Sequence, residues 1–119
     1  MHFDHPLFIV PLITGSTFLV TGWILRKYPP KEINRLYGYR TGSSMKNQER
    51  WDFAQHYSAI ELIRMGVILT LLAIAGVFLP ISAVIGLLVS MAVLFTLIIL
   101  LILRTEKAIK KQFDKHHPD

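Results

Sequence analysis

Cysteine is absent from the 119-residue chain, which excludes disulfides, thiolate metal sites and cysteine nucleophiles. Charge is scarce as well: charged residues make up 18% of the chain, below the roughly 25% of soluble domains. More telling is where charge is missing. No charged side chain occurs in residues 6–25 or in residues 65–103. A soluble domain of this size would have to hide three long apolar segments with almost no polar surface on two of them, whereas a bilayer accommodates such segments directly. The first residues lack a basic n-region, and no Ala-x-Ala-like site follows the apolar run, so the first segment is expected to be retained rather than cleaved as a signal peptide. Acids and bases deep in the spans are missing too, and proton relays and ion-coupled transporters depend on them.

What is present is three apolar runs, giving an expected all-α membrane protein of one domain, residues 1–119. A spanning helix needs about 20 apolar residues to cross roughly 30 Å of hydrocarbon. Residues 7–25 supply the first span, with Trp23 and Tyr28 near its end, where amphipathic rings favour the interface. The second is expected over 60–79. Its uncharged part is short, so Glu61 and Arg64 enter the interface, spaced i, i+3 to pair on one helix face and set the helix depth. Residues 81–103 form the third, with 16 of 23 residues Leu, Ile, Val or Phe. Pro80 separates the last two as a tight hairpin. Ser82, Gly86 and Ser90 recur every four residues, a small-residue stripe for packing within the monomer or along a homo-oligomer seam. Thr14, Ser16, Thr17, Thr21, Thr70 and Thr96 read as helix–helix hydrogen bonds.

Formal net charge is +5, and the basic residues flank the spans. They therefore point to topology and to anionic lipid headgroups rather than to direct nucleic-acid binding. Seven Lys and Arg fall in residues 26–59 and five in the tail, 104–119, while the N-terminal stub and the Pro80 turn carry none. Basic connections stay inside, so the N-terminus is expected outside the membrane and both the 26–59 loop and the tail in the cytoplasm.

That loop is longer than a plain connection, and connections beyond about 12–15 residues usually carry structure or function. Tyr28, Pro29 and Pro30 read as an extended exit. Gly38 and Gly42 bracket Tyr39, Arg40 and Thr41 as a turn held close to something. Ser43 and Ser44 are candidate N-caps for a helix starting at Met45 and running into the second span. Trp51, Ala54 and Ser58 share one face of it, Phe53, Tyr57 and Ile60 an adjacent one, and Lys46, Arg50 and Gln55 are expected to face water or phosphate. This segment reads as amphipathic, lying on or angled into the inner headgroup region.

The run Asn34, Arg35, Leu36, Tyr37, Gly38, Tyr39, Arg40, Thr41, followed by Ser44, Met45, Lys46, Asn47, Gln48, Glu49, Arg50, Trp51 and onward to Tyr57, resembles the signature of the SdpI/YfhL family of bacterial membrane proteins. That family has a Gly-x-Arg-Thr element, then a Ser/Thr-Met/Leu-Lys stretch, an acidic residue (here Glu49) and a Trp that opens the next helix. Two departures stand out: Gly42 occupies a position where members often have proline, and the namesake has further spans, making this chain look like a short, stand-alone version. The resemblance implies residence in the bacterial cytoplasmic membrane and resistance to a secreted antibacterial peptide toxin. For the longer namesake it also implies sequestration of a transcriptional repressor at the membrane.

Catalysis has little to work with. His56 stands alone in the structured region, and one imidazole makes neither a metal site nor a triad. Glu49 and Asp52 read as surface ion pairs with Lys46 and Arg50. His2, Asp4 and His5 at one end, and His116 and His117 at the other, are too sparse for a metal centre. No enzyme activity, metal or cofactor is expected. The candidate site is thus Asn34, Gly38, Tyr39, Arg40, Thr41, Met45, Asn47, Glu49, Trp51 and Tyr57, with Arg64. Arg40 offers a planar fork suited to phosphate or carboxylate, oriented by Thr41 and Asn47. It acts either in recognition of a lipid headgroup, toxin or cytoplasmic partner, or in tying the loop to the helix ends. A membrane scaffold for a cytoplasmic regulator, and a small oligomeric transporter or channel, are the rival functions.

Overall fold

The computed structural model describes residues 3–114. Three helices account for most of them: α1 (Pro6–Lys27), α2 (Gln48–Phe78) and α3 (Ala83–Phe113). All three are long and apolar enough to cross a membrane. Large apolar side chains such as Ile13, Leu71, Val84 and Leu103 point outward and are more than half exposed, which suits a surface solvated by lipid. The protein is a multi-pass membrane protein. His2, His116 and His117 lie outside the described residues.

At 1.5 Å per residue, the 31 residues of α2 or α3 reach about 46 Å, well beyond the hydrocarbon layer. The surplus extends past the bilayer at the end where the α1–α2 loop and the α3 tail meet. Two sequence expectations change here. The helix starts at Gln48 with Asn47 as its cap, the Asn47 Oδ1 accepting from the Arg50 N–H at 2.9 Å, rather than at Met45 after a serine cap. The segment from Gln48 also continues into the second span without a break, so it leaves the membrane with that span. Trp51, Phe53 and Tyr57 need a protein surface in that position, and the chain's own loop and tail helix provide it.

Glycine decides how closely α1 and α2 approach. A Cβ on Gly66 would lie 2.9 Å from the Gly15 carbonyl oxygen and 2.7 Å from Leu19 Cγ; one on Gly22 would lie 3.0 Å from the Ala59 carbonyl oxygen. Gly15 on α1 faces Gly66 on α2, and Gly22 faces Ala59, small residues seven apart on each helix, or two helical turns. Backbones in lipid are drawn together by packing at such small residues. Helix α3 packs more sparingly on both, through Gly86, Ser90, Leu97, Leu101, Thr105 and Ile109. Gly86 and Ser90 thus lie on a buried face within the monomer, whereas Ser82 is exposed and instead caps α3 by accepting from the Ile85 N–H.

The hydroxyls expected to bridge helices mostly do not. Thr14, Thr17, Thr70 and Thr96 donate to carbonyls four residues back in their own helix, at 2.7–2.8 Å. A hydroxyl on Cβ reaches that carbonyl without any partner helix, so it is satisfied in lipid locally. At the Pro80 hairpin the cross-link comes from His5, whose Nδ1 accepts from the Leu7 N–H while Nε2 lies 2.8 Å from the Ile81 carbonyl oxygen. Gly86 makes room for that ring.

Substituting Gly66→Val should wedge α1 from α2 and lower stability by about 1–3 kcal/mol, the usual cost of overpacking. A lowered melting temperature of the detergent-solubilised protein is the expected result, and an unchanged one would refute the close crossing.

Candidate functional site

From Tyr28 the chain leaves α1 and does not form helix again until Gln48, yet it is fixed by a series of hydrogen bonds to its own turns and to α2 and α3. Pro30 is buried, and its carbonyl accepts from Trp51 Nε1 at 2.7 Å. The Trp51 ring is completely enclosed, consistent with an indole whose one donor is satisfied. Asn34 builds an Asx turn, its Oδ1 accepting from the Leu36 and Tyr37 N–H groups at 2.9 and 2.8 Å. The Tyr37 hydroxyl donates to the Tyr28 carbonyl, closing the turn against the end of α1. Leu36 is left at its tip, 93% exposed.

Gly38 follows with φ +103°, a conformation that L side chains rarely adopt. A Cβ there would also lie 2.5 Å from Gln55 Oε1 and 2.7 Å from Pro30 Cγ. The reason for the close approach is Gln55, which is buried on α2. Its Oε1 accepts from the Tyr39 N–H at 2.6 Å, and its Nε2 donates to the Tyr39 carbonyl at 2.8 Å. One side-chain amide thus pairs with both backbone groups of Tyr39, as a neighbouring strand would. Gly42, by contrast, has an ordinary φ, and a Cβ there would meet nothing within 4 Å. Only one of the two bracketing glycines is held against something.

The second anchor is Glu106 on α3. The Tyr39 hydroxyl donates to Oε2 at 2.7 Å, the Thr41 hydroxyl to the same oxygen at 3.0 Å, and the Ser43 hydroxyl to Oε1 at 2.7 Å. Burial, and then the hydrogen bond to the Glu106 carboxylate and its negative charge, push the Tyr39 phenol above its ordinary value. It therefore stays a donor throughout the physiological range. Ser44, fully buried, accepts from the Thr41 N–H at 2.8 Å and lies 3.2 Å from the Tyr39 carbonyl oxygen.

The remaining candidate residues divide by place. Arg40 is exposed and bonds the Arg35 carbonyl, so neither Thr41 nor Asn47 orients it. Asn47 is the helix cap, and Glu49 lies in the first turn of α2, where the helix dipole favours an acid. Met45 is half-buried, and Tyr57 stacks on Phe53 with centroids 5.9 Å apart. Arg64 does reach Glu61, at 3.4 Å, but the buried Glu61 carboxylate also takes Arg104 of α3 at 3.1 Å. It ties two helices together at the loop end of the bundle. Arg50, expected at the surface, is buried against the Phe113 ring and pairs with Asp114. Gln55 was likewise expected outside.

Gln55 and Glu106 are the residues that sequence reasoning missed. Gln55 is a polar residue on a polar-looking helix face, and Glu106 lies more than 60 residues from its partners in a tail marked only by its basic charge. Around these anchors a cleft of about 200 Å³ opens between Thr21 and Leu25 of α1, Tyr37–Tyr39 of the loop, Ser58 and Leu62 of α2, and Leu101 of α3. Among the described residues no group of three His, Asp or Glu side chains could hold a metal.

A three-helix membrane bundle whose first connecting loop is clamped across the projecting ends of the second and third helices defines the class. The chain belongs to the SdpI/YfhL protein family, whose sequence profile matches residues 31–105, from the loop through much of α3. It is 40% identical over 58 residues to the uncharacterized protein YfhL of Bacillus subtilis strain 168. That alignment takes in 49% of this chain and 53% of YfhL, so the chain spans about half the length of the relative it matches. No solved structure matches.

Gly38→Ala should loosen the loop, because a left-handed backbone costs a residue with a Cβ roughly 1–2 kcal/mol, equivalent to about tenfold more of the open form. Trypsin cleavage at Arg35 and Arg40 is expected to accelerate accordingly, while Gly42→Ala keeps the wild-type rate. Equal rates for the two variants would contradict the Gln55 clamp.

Proposed function

We propose that this protein acts without chemistry of its own, in the bacterial cytoplasmic membrane, to give resistance to a secreted antibacterial peptide toxin. Membership of the SdpI/YfhL family carries the proposal. It is supported by the clamped loop, which holds Leu36 and Arg40 outward on a rigid base made by Asn34, Gln55 and Glu106. A peptide that acts in lipid meets such a surface at the depth where α1 ends. Seven basic residues in 26–59 and none in the N-terminal stub favour an orientation with the N-terminus outside and the loop and tail inside.

A second reading, a scaffold that sequesters a cytoplasmic regulator, draws on the same features. An apolar side chain 93% exposed between two arginines suits a protein partner as well as lipid.

Expression in a sensitive strain should raise survival on exposure to the toxin, and Arg40→Ala or Leu36→Ala should remove protection while leaving the protein at its normal level in the membrane. Trp51→Ala is a poor probe, because that ring is enclosed and its loss unseats Pro30. Survival unchanged by the wild-type protein would refute the role. Copurification of a soluble partner, lost in Leu36→Ala, would favour the scaffold.

The orientation has its own test, made clean by the absence of cysteine. Cysteines at the exposed positions Gly42 and Lys46 should resist an impermeant thiol reagent added to intact cells and react after lysis. Labelling from outside would invert the topology.

A further inference from the structure

The tail helix carries a second feature that the loop clamp does not use. Arg104, Lys107 and Lys111 follow one another at spacings of three and four, which puts them on one face of α3. All three are exposed. They line a groove of about 350 Å³ with Ala108 and, across from them on α2, Tyr57. Arg104 is engaged on one side by Glu61 at 3.1 Å, yet its side chain remains half exposed. Lys107 and Lys111 make no salt bridge with any described residue. Like charges at i, i+4 destabilise a helix, so this face is one that an anion would stabilise.

Depth narrows the anion's identity. Arg104 directly follows Leu103, which is 59% exposed and ends the run of uncharged residues in α3. The groove therefore begins where the hydrocarbon stops, at the level of lipid phosphates. Its walls have the corresponding chemistry: a guanidinium fork at the membrane edge, two exposed ammonium groups above it and an aromatic ring on the opposite side. Basic pockets between membrane helices take phosphate-bearing headgroups by this combination.

We propose that the groove formed by Tyr57, Arg104, Lys107 and Lys111 is a binding site for the phosphate group of an anionic lipid headgroup. Glu61 keeps the Arg104 guanidinium close to the helix pair, and the two lysines complete the charge. The other basic cluster near the membrane, Arg26 and Lys27 beside Trp23, is built from α1 alone, and Lys27 there lies over the Trp23 and Tyr28 rings at 5.0 and 5.7 Å. It serves as a basic control at a comparable depth.

Native mass spectrometry of the full chain, mixed in detergent with phosphatidylglycerol or with phosphatidylcholine, tests the site. Saturable retention of phosphatidylglycerol in preference to phosphatidylcholine is expected. Lys107→Gln and Lys111→Gln should each weaken it about fivefold, corresponding to about 1 kcal/mol per basic residue near an anionic surface. Lys107→Arg with Lys111→Arg should restore it, and Lys27→Gln should leave it unchanged. Displacement of the lipid by inorganic phosphate would show that the phosphate alone is recognised; retention against inorganic phosphate would assign the site to the whole headgroup. Equal retention of the two lipids, an equal loss in Lys27→Gln, or no loss when both Lys107 and Lys111 are replaced would overturn the proposal. Unchanged helix content by circular dichroism in the lysine variants separates lost binding from lost fold.

Discussion

Three loop hydroxyls, on Tyr39, Thr41 and Ser43, converge on the single carboxylate of Glu106, and the organisation of the whole loop end depends on that convergence. Hydrogen bonds to an ionised acceptor are shorter and stronger than neutral ones. A carboxylate can accept several at once, so one side chain fixes three points along the loop. Glu106 can do this only because α3 continues as helix past the lipid. The tail is thereby a structural part of the bundle as well as a carrier of positive charge.

Gln55 completes the clamp from the other helix, and the two anchors act on the same residue. Tyr39 is held by its backbone on α2 and by its hydroxyl on α3. The loop thus staples the two long helices to each other, adding to the direct contacts of Arg50 with Asp114 and Phe113 at the same end. Glu61 with Arg104 adds a second tie between the same two helices, nearer the lipid. At the opposite end His5 and the short Pro80 hairpin take over. Between these ends, in the hydrocarbon, no comparable polar tie is needed, because glycine lets the α1 and α2 backbones approach and the threonine hydroxyls at Thr14, Thr17, Thr70 and Thr96 are satisfied within their own helices.

The clamp also separates two kinds of residue within the family motif. Asn34, Gly38, Tyr39, Thr41, Asn47 and Trp51 are consumed in holding the loop; each commits its polar group or its backbone freedom to a partner within the chain. Arg35, Leu36 and Arg40 are presented by that framework and remain exposed. On this side of the protein the framework thus presents a small apolar and basic tip. The cationic groove of α3 is a separate surface.

The three spans, the Pro80 hairpin and the family were legible in the sequence. Hydrocarbon imposes a one-dimensional requirement, a run of apolar residues of fixed length, and that can be read along a chain. Helical spacing also put Trp51, Ala54 and Ser58 on one face, but the sequence turned that face to the headgroups, whereas in the structure the Trp51 ring is enclosed and bonded to the Pro30 carbonyl of the loop. What the tertiary structure alone decided is which polar residues turn inward. Gln55 and Arg50 look like surface residues in any window of sequence, and Glu106 has no local mark at all. Their roles arise because a loop 65 residues away from Glu106 folds back over two helices that outlast the membrane. Such a meeting depends on the distance between helix ends in space, which periodicity along the chain does not encode.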